Sequence, residues 1–253
     1  MNMMTYDGSF KGLLTAIFEI YEYKIQQPHI VKKEMAGGSL FGKIYSSEID
    51  DAKAVRVLNK LKEKLTPNGF AQLYKTFLSE LRGIEDVIYR YIAYVLQNNG
   101  GVENNYAHAD VLMLQQTSRK VDRERHRMKA FIRFQLTKDE LYYAIIQPDY
   151  NVLPLIVKHF KDRYADQRWL IYDAMRKYGI YYDLENVTEV NIDFTSDLKN
   201  ADSRAALYDA SEELYQQLWQ QYFASVNIKA RKNTKLHVQH MPKRYWKYLV
   251  EKQ

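Results

Sequence analysis

The sequence predicts an α+β fold, in which a helical N-terminal half is followed by an antiparallel sheet with packing helices and a basic C-terminal segment. As far as residue 127, apolar side chains recur every three to four positions, which is the period of a helix with one buried face. From residue 129 onward they alternate with polar ones, which is the period of a strand. We therefore expect one α+β body over residues 1–228, mainly helical in 1–127 and sheet plus helices in 128–228. Residues 229–253 are expected to form a basic segment that docks on this body.

Helix-capping signals divide the N-terminal half into elements. Residues 1–6 are predicted to form a short strand, and Ser9 or Asp7 is expected to cap the helix that follows it. Residues 29–46 predict short extended pieces between glycines. Further helices are expected after the capping signal at residues 47–50, after Thr66–Pro67 and after Gly83. A long helix is expected from about residue 104 to residue 127.

The C-terminal half predicts mainly short strands. Residues 129–136 and 140–147 are expected to pair as a hairpin, and Pro154 to begin a helix. Three more strands are expected at residues 168–173, 178–183 and 188–192, followed by a helix over 203–223. In the basic segment Pro242 is expected to open a short helix, whose Trp246, Leu249 and Val250 contact the body.

The composition excludes several classes of protein. The chain has 253 residues and no cysteine, which excludes disulfides, cysteine-ligated zinc and a bound iron–sulfur cluster. Its mean hydropathy is −0.51 and no apolar run approaches 18 residues, so we expect no transmembrane helix and no membrane partner. Because the first ten residues lack a secretory pattern, a cytoplasmic location is expected. We predict no cofactor and no bound metal.

The net charge of +6 is concentrated in two stretches of the chain. Residues 229–252 contain eight basic residues and one acid, so this segment carries +7 and the remainder carries −1. Residues 119–133 contain seven basic residues against Asp122 and Glu124. A nearly neutral body with a strongly basic segment indicates an anionic partner. For residues 119–133, the alternative is a solvated helix face with internal ion pairs.

Three motifs resemble known sites only weakly. Residues 37–43 fit the spacing of a phosphate-binding loop, but Ile44 stands where a magnesium-binding hydroxyl is needed. His237 and His240 could share a helical face, yet zinc needs more ligands than these two. An acidic and lysine cluster at residues 193–199 is similar to those of metal-dependent nucleases but falls in a polar loop.

Two sets of side chains are better candidates for phosphate contacts. The first is a ridge of arginines spaced by four along the long helix, together with an arginine on the first strand of the sheet: Arg119, Arg123, Arg127 and Arg133. Guanidinium groups bind phosphates through two parallel hydrogen bonds. The second set is His159 and Arg163, which are neighbours on one helical face. A hydrogen-bonded packing role for His159 is the alternative.

Four blocks of sequence, in order along the chain, carry a resemblance to a known family. They are residues 6–19, which begin Tyr-Asp-Gly-Ser-Phe, residues 126–134, residues 147–163, which begin Gln-Pro, and residues 233–251. Together they resemble the bacterial family of DNA metabolism or DNA repair proteins of unestablished activity. In that family the domain is usually encoded beside a radical SAM protein, and it also occurs fused to uracil-DNA-glycosylase-like domains. The resemblance implies DNA-related work and a radical SAM partner, and it supplies no catalytic residue.

We therefore expect a DNA-binding accessory protein in DNA repair or modification that acts with a partner enzyme. The residues expected to contact nucleic acid are Arg119, Arg123, Arg127, Arg133, His159, Arg163, Arg231, Lys235, Lys243, Arg244 and Trp246. One alternative is a nucleic-acid hydrolase or nuclease, for which some of four side chains would have to converge in a cleft: Glu124, His159, Asp173 and Asp183. Another is a protein-interaction module whose basic segment docks on an acidic partner.

Overall fold

A computed structural model describes residues 2–36, 42–98, 100–191, 238–249 and 252. It confirms an α+β fold in which helices predominate in the N-terminal half. The chain divides into two compact units, residues 1–122 and 123–253. The expected boundary between body and basic segment at residue 229 lies outside the described residues, so that division stays a prediction.

The first unit combines a small parallel sheet with helices. Its elements are β1 (Asn2–Tyr6), α1 (Phe10–Glu22), β2 (Pro28–Lys32), β3 (Ile44–Ser46), α2 (Asp51–Lys64), α3 (Pro67–Phe77), α4 (Ile84–Gln97) and the start of α5 (Ala109–Phe131). The strands lie in the order β2-β1-β3, and β1 pairs in parallel with both neighbours. The extended pieces predicted within residues 29–46 therefore include two strands of this sheet.

Three of these helices begin with a side-chain cap, and each begins where the sequence predicts the start of a helix. The Oγ of Ser9 accepts from the backbone N–H of Gly12 at 2.9 Å, and the Oγ1 of Thr66 accepts from that of Gly69 at 3.1 Å. At residues 47–50 the capping side chain is Asp50, whose carboxylate accepts from the N–H of Lys53. Each cap satisfies a backbone donor that the first helical turn leaves without an intrahelical partner.

The second unit is built on a five-stranded mixed sheet. Its elements are the end of α5, β4 (Gln135–Leu136), β5 (Tyr142–Ile146), α6 (Leu153–Arg163), β6 (Trp169–Asp173), β7 (Tyr178–Tyr182), β8 (Val187–Val190) and a 3-10 helix (Lys243–Tyr248). The strand order is β4-β5-β6-β7-β8, with all neighbours antiparallel except β5 and β6. The strands β4 and β5 form the hairpin that the sequence predicts. The predicted helix over 203–223 lies outside the described residues.

The pair β5 and β6 is parallel, although the sequence analysis expects an antiparallel sheet. α6 connects these two strands and packs on the sheet. Its Ile156 and Phe160 are buried, and the Phe160 ring lies edge-on to Trp169. Parallel neighbours require such a crossover, and a helix is its usual form.

The strand predicted over residues 129–136 is mostly wrong. α5 continues to Phe131, and the strand spans only Gln135–Leu136. The backbone N–H of Ile132 still donates to the carbonyl of Met128, and both side chains are buried. The apolar residues at 128 and 132 therefore belong to the last turn of a helix, and the alternation that predicts a strand begins only after them.

No helix in the part of the chain that the structure describes is long and apolar enough to cross a membrane.

Candidate nucleic-acid interface

Two parallel strands of the second unit bring a loop and a turn to one edge of the sheet. β5 ends at Ile146, which lies opposite Asp173 at the end of β6. The loop of residues 147–152 follows β5 and leads into α6, and a tight turn at 174–177 follows β6. In open α/β sheets, ligands bind outside the carboxyl ends of parallel strands. This edge is therefore a candidate binding site.

A buried ion pair fixes this loop to this turn. Asp173 is fully buried, and its carboxylate accepts from the N–H groups of Met175 and Arg176 and from the Arg176 guanidinium at 2.8 Å. The same guanidinium donates to the backbone carbonyls of Pro148 and Asp149 at 3.1 and 3.2 Å. Because buried polar groups that are fully hydrogen-bonded hold one arrangement, the edge is rigid here.

A second buried carboxylate joins α5 to the same loop and to the C-terminal 3-10 helix. Glu124 is 1% exposed, and one of its oxygens accepts from the backbone N–H of Asp149 at 2.9 Å and from the Tyr245 hydroxyl. Its other oxygen accepts from the Arg244 guanidinium at 3.0 Å and lies 3.6 Å from that of Arg127. Arg244 also pairs with Asp149 at 2.8 Å. One buried charge thus connects three segments of the second unit.

The 3-10 helix packs against the unit mainly through Tyr245 and Leu249. These two residues are 2% and 0% exposed, whereas Trp246 is half-buried and its indole N–H donates to the carbonyl of Met241 at 3.0 Å. Burial raises the pKa of the Tyr245 hydroxyl, and the hydrogen bond to Glu124 raises it further. Of the predicted contacts, Leu249 is buried as expected, and Val250 lies outside the described residues.

Beside this helix lies a cleft of about 480 Å³ at the sheet edge. We call it the basic cleft; it is lined by Gln147, Pro148, Asp149, Met175, Lys243, Arg244 and Lys247. Its cations come from the 3-10 helix, while the remaining residues come from the loop and turn at the ends of β5 and β6. The Lys247 ammonium donates to the Gln147 side-chain carbonyl at 2.6 Å, and the Tyr248 hydroxyl donates to the same oxygen at 2.9 Å.

The two basic stretches of the sequence meet at Glu124, beside the basic cleft. Arg127, from the stretch 119–133, and Arg244, from the stretch 229–252, both lie against Glu124. Arg123 is exposed one turn earlier on α5, and its charge opposes the rise in the pKa of Tyr150 that burial and Asp149 cause. Glu124 and Asp149 neutralise part of the charge of Arg127 and Arg244. Lys243 and Lys247 are exposed at the cleft and add positive charge there.

The remaining predicted contacts lie elsewhere. Arg119 is exposed on the part of α5 that belongs to the first unit. Arg133 is half-buried and donates to the carbonyls of Ala130 and Ile132, which end α5. Arg133 therefore follows the helix rather than projecting from a strand. Arg231 and Lys235 lie outside the described residues.

His159 and Arg163 lie on α6 as predicted neighbours. Partial burial lowers the pKa of the His159 imidazole, and the positive charges of Lys129 and Arg163 lower it further, with Asp162 opposing. The imidazole packs edge-to-face on Phe160, at 5.1 Å between ring centroids. Arg163 is exposed and lies over the Tyr164 ring.

The side chains named for a hydrolase have ordinary structural partners. Glu124 and Asp173 are each buried in a hydrogen-bond network, and the two networks meet at the backbone of Asp149. Asp183 is exposed and accepts from the backbone N–H groups of Glu185 and Asn186, which close a turn. Within the described ranges of the chain, no group of three or more acidic or histidine side chains could hold a metal ion.

The loop and turn residues of the cleft could not be identified from periodicity. Gln147, Asp149 and Met175 come together only because β5 and β6 are parallel, which periodicity does not reveal. The burial of Glu124 could have been predicted from the sequence, because this residue lies between Val121 and Met128 on the buried face of α5. An acid at helical spacing between two core residues predicts a buried carboxylate that needs partners.

Comparison with known proteins identifies the family. The model of a family described as a domain of unknown function, DUF4130, matches residues 82–251, which is more than half of the chain. The chain belongs to this family. No curated protein and no solved structure matches the chain. The family description names no activity, so the link to DNA repair and to a radical SAM protein stays a prediction.

Proposed function

We propose that the protein binds DNA through the basic cleft and serves as an accessory to a partner enzyme in DNA repair or modification. The observation that carries this proposal is the set of three cations, Lys243, Arg244 and Lys247, that line one cleft at the carboxyl ends of β5 and β6. Lys and Arg side chains that neutralise phosphates supply most of the affinity of proteins for DNA.

The position of these cations supports a binding surface rather than general surface charge. Tyr245 and Leu249 anchor the 3-10 helix, so Lys243 and Lys247 project from a fixed backbone. Arg123 extends the positive charge along α5. Preorganised cations lose less side-chain freedom on binding a polyanion than those of a loose tail.

The partner is proposed from the resemblance and from chemistry. A radical SAM enzyme carries an iron–sulfur cluster on cysteines, and this chain has no cysteine, so the partner would supply that chemistry. The complex would act in the cytoplasm. In this arrangement the present chain holds the nucleic acid and the partner performs the reaction.

The proposal is tested by fluorescence anisotropy with a labelled oligonucleotide, single-stranded and in duplex, across a range of salt concentrations. The logarithm of the affinity should fall linearly with the logarithm of salt concentration, because cations condensed on the DNA are released when the protein binds. Arg123→Glu should weaken binding about fivefold at low salt, since it reverses one charge beside the cleft. Arg56→Glu, at an exposed arginine of α2 in the first unit, is the matched control and should bind normally.

Absence of binding to either DNA form at micromolar protein and low salt would overturn the proposal. Equal losses in Arg123→Glu and Arg56→Glu would show that net charge, rather than the cleft, governs the affinity.

A further inference from the structure

We infer that the basic cleft accommodates one unpaired nucleotide of a single DNA strand, with phosphate on one wall and base on the other. This inference rests on the proposed function and specifies its substrate. A volume of about 480 Å³ lies within the range of small-ligand sites. A paired base in a duplex stays in its stack, so a duplex could offer this cleft only its backbone.

One wall of the cleft suits a phosphate. Lys243, Arg244 and Lys247 all project from the 3-10 helix. Two aromatic rings of the same helix lie next to these cations, although neither ring lines the cleft. The Lys243 ammonium is 5.9 Å from the centre of the Trp246 ring, and the Lys247 ammonium is 4.7 Å from that of Tyr248. A positively charged groove interleaved with aromatic side chains is the usual arrangement of single-strand binding sites.

The adjoining wall, which comes from the loop and the turn, does not suit a phosphate. It contacts the first wall directly, because Asp149 pairs with Arg244 at 2.8 Å and Gln147 accepts from Lys247 at 2.6 Å. The Asp149 carboxylate is 51% exposed, and it would repel a second phosphate. A carboxylate does accept hydrogen bonds from the N–H groups on the edge of a base. Gln147 stands beside it, with its carbonyl oxygen already accepting from Lys247 and Tyr248, so its amide N–H groups are the donors left for a base carbonyl.

Met175 supplies an apolar surface between these polar groups. Its side chain is 58% exposed, although its backbone is fixed by the hydrogen bond to Asp173 at 2.9 Å. A thioether packs well on an aromatic face, and a base presents such a face only when it is unstacked. A duplex backbone would use the cations but would leave Met175 and Gln147 without a role.

The test compares a labelled single-stranded octanucleotide of mixed sequence with the same sequence in duplex, using the full chain and its Met175→Ala variant. The single strand should bind about tenfold more tightly than the duplex, which is the size of effect that one base contact supplies. Met175→Ala should weaken single-strand binding about fivefold and leave duplex binding unchanged. Met35→Ala, at a methionine of the first unit that is 66% exposed, is the control and should change neither.

Each outcome separates this inference from the proposed function. Selective loss of single-strand binding in Met175→Ala supports it. Equal affinity for both DNA forms, with no effect of Met175→Ala, overturns the nucleotide site and leaves DNA binding intact. Absence of binding to both forms overturns the two together. Polyglutamate that competes as well as the single strand would indicate an acidic protein partner and would also overturn the inference.

Discussion

Glu124→Gln is expected to lower the free energy of unfolding by about 2–3 kcal/mol, the largest stability effect that we predict for a single substitution. The substitution removes the charge against which Arg244 and Arg127 lie in the folded protein. Removing one partner of a fully buried pair costs about 3–5 kcal/mol. The expected value is smaller because the Arg244 side chain is 38% exposed and can be hydrated in the variant.

Differential scanning calorimetry checks this expectation, with Glu63→Gln as the matched control. Glu63 pairs with Lys60 on α2, but its side chain is 65% exposed, so the same chemical change should have no measurable effect there. Hydrogen exchange provides a local readout. The backbone amides of residues 243–249 should exchange faster in Glu124→Gln, because the new side-chain NH2 group replaces the oxygen that accepts from Arg244. An unchanged melting temperature and unchanged exchange would show that Glu124 does not hold the 3-10 helix.

The double variant Lys243→Gln/Lys247→Gln is expected to show the largest loss of DNA affinity. If both ammonium groups contact phosphates, single-strand binding should weaken about thirtyfold at low salt. The slope of log affinity against log salt should decrease in magnitude by about 1.4, because each lost phosphate contact removes about 0.7 for a single strand. The same anisotropy titration measures both quantities.

The matched control for this variant is Lys60→Gln/Lys158→Gln. These two lysines are exposed, at 49% and 88%, and neither lines the basic cleft. The control removes the same net charge, so a general electrostatic effect would weaken binding equally in both double variants. A salt slope that is the same in Lys243→Gln/Lys247→Gln as in the unmodified chain would rule out phosphate contacts by these lysines.

Local features of the fold could be predicted from the sequence. Ser9 and Thr66 cap helices because their side chains reach a backbone N–H three residues away, which is a local contact, although the Thr66 hydroxyl also donates to the distant Glu103. The parallel pairing of β5 and β6 could not be predicted, because alternation shows which face a side chain occupies and not which strand lies beside it. The end of α5 was misplaced because Ile132 fits both a helical and a strand pattern.

The candidate site was predictable in its charge and not in its geometry. The excess of cations in residues 229–252 is visible in the sequence, and three of them line the cleft: Lys243, Arg244 and Lys247. Trp246 was expected either to anchor the segment or to stack on a base, and the buried ring is that of the neighbouring Tyr245. Tyr245, unlike Trp246, brings a hydroxyl to the buried Glu124, and a buried carboxylate needs such donors. The pairing of Arg127 with the same carboxylate is a local contact between residues three apart on α5.

Ultraviolet crosslinking of a single-stranded oligonucleotide to the full chain, followed by mass spectrometry of the peptides, tests the central claim most directly. The crosslinked peptides should contain residues 147–151, residue 175 or residues 243–248, and high salt should suppress them. Crosslinks found only within residues 1–122, with none at the loop, the turn or the 3-10 helix, would contradict a nucleic-acid site at the basic cleft.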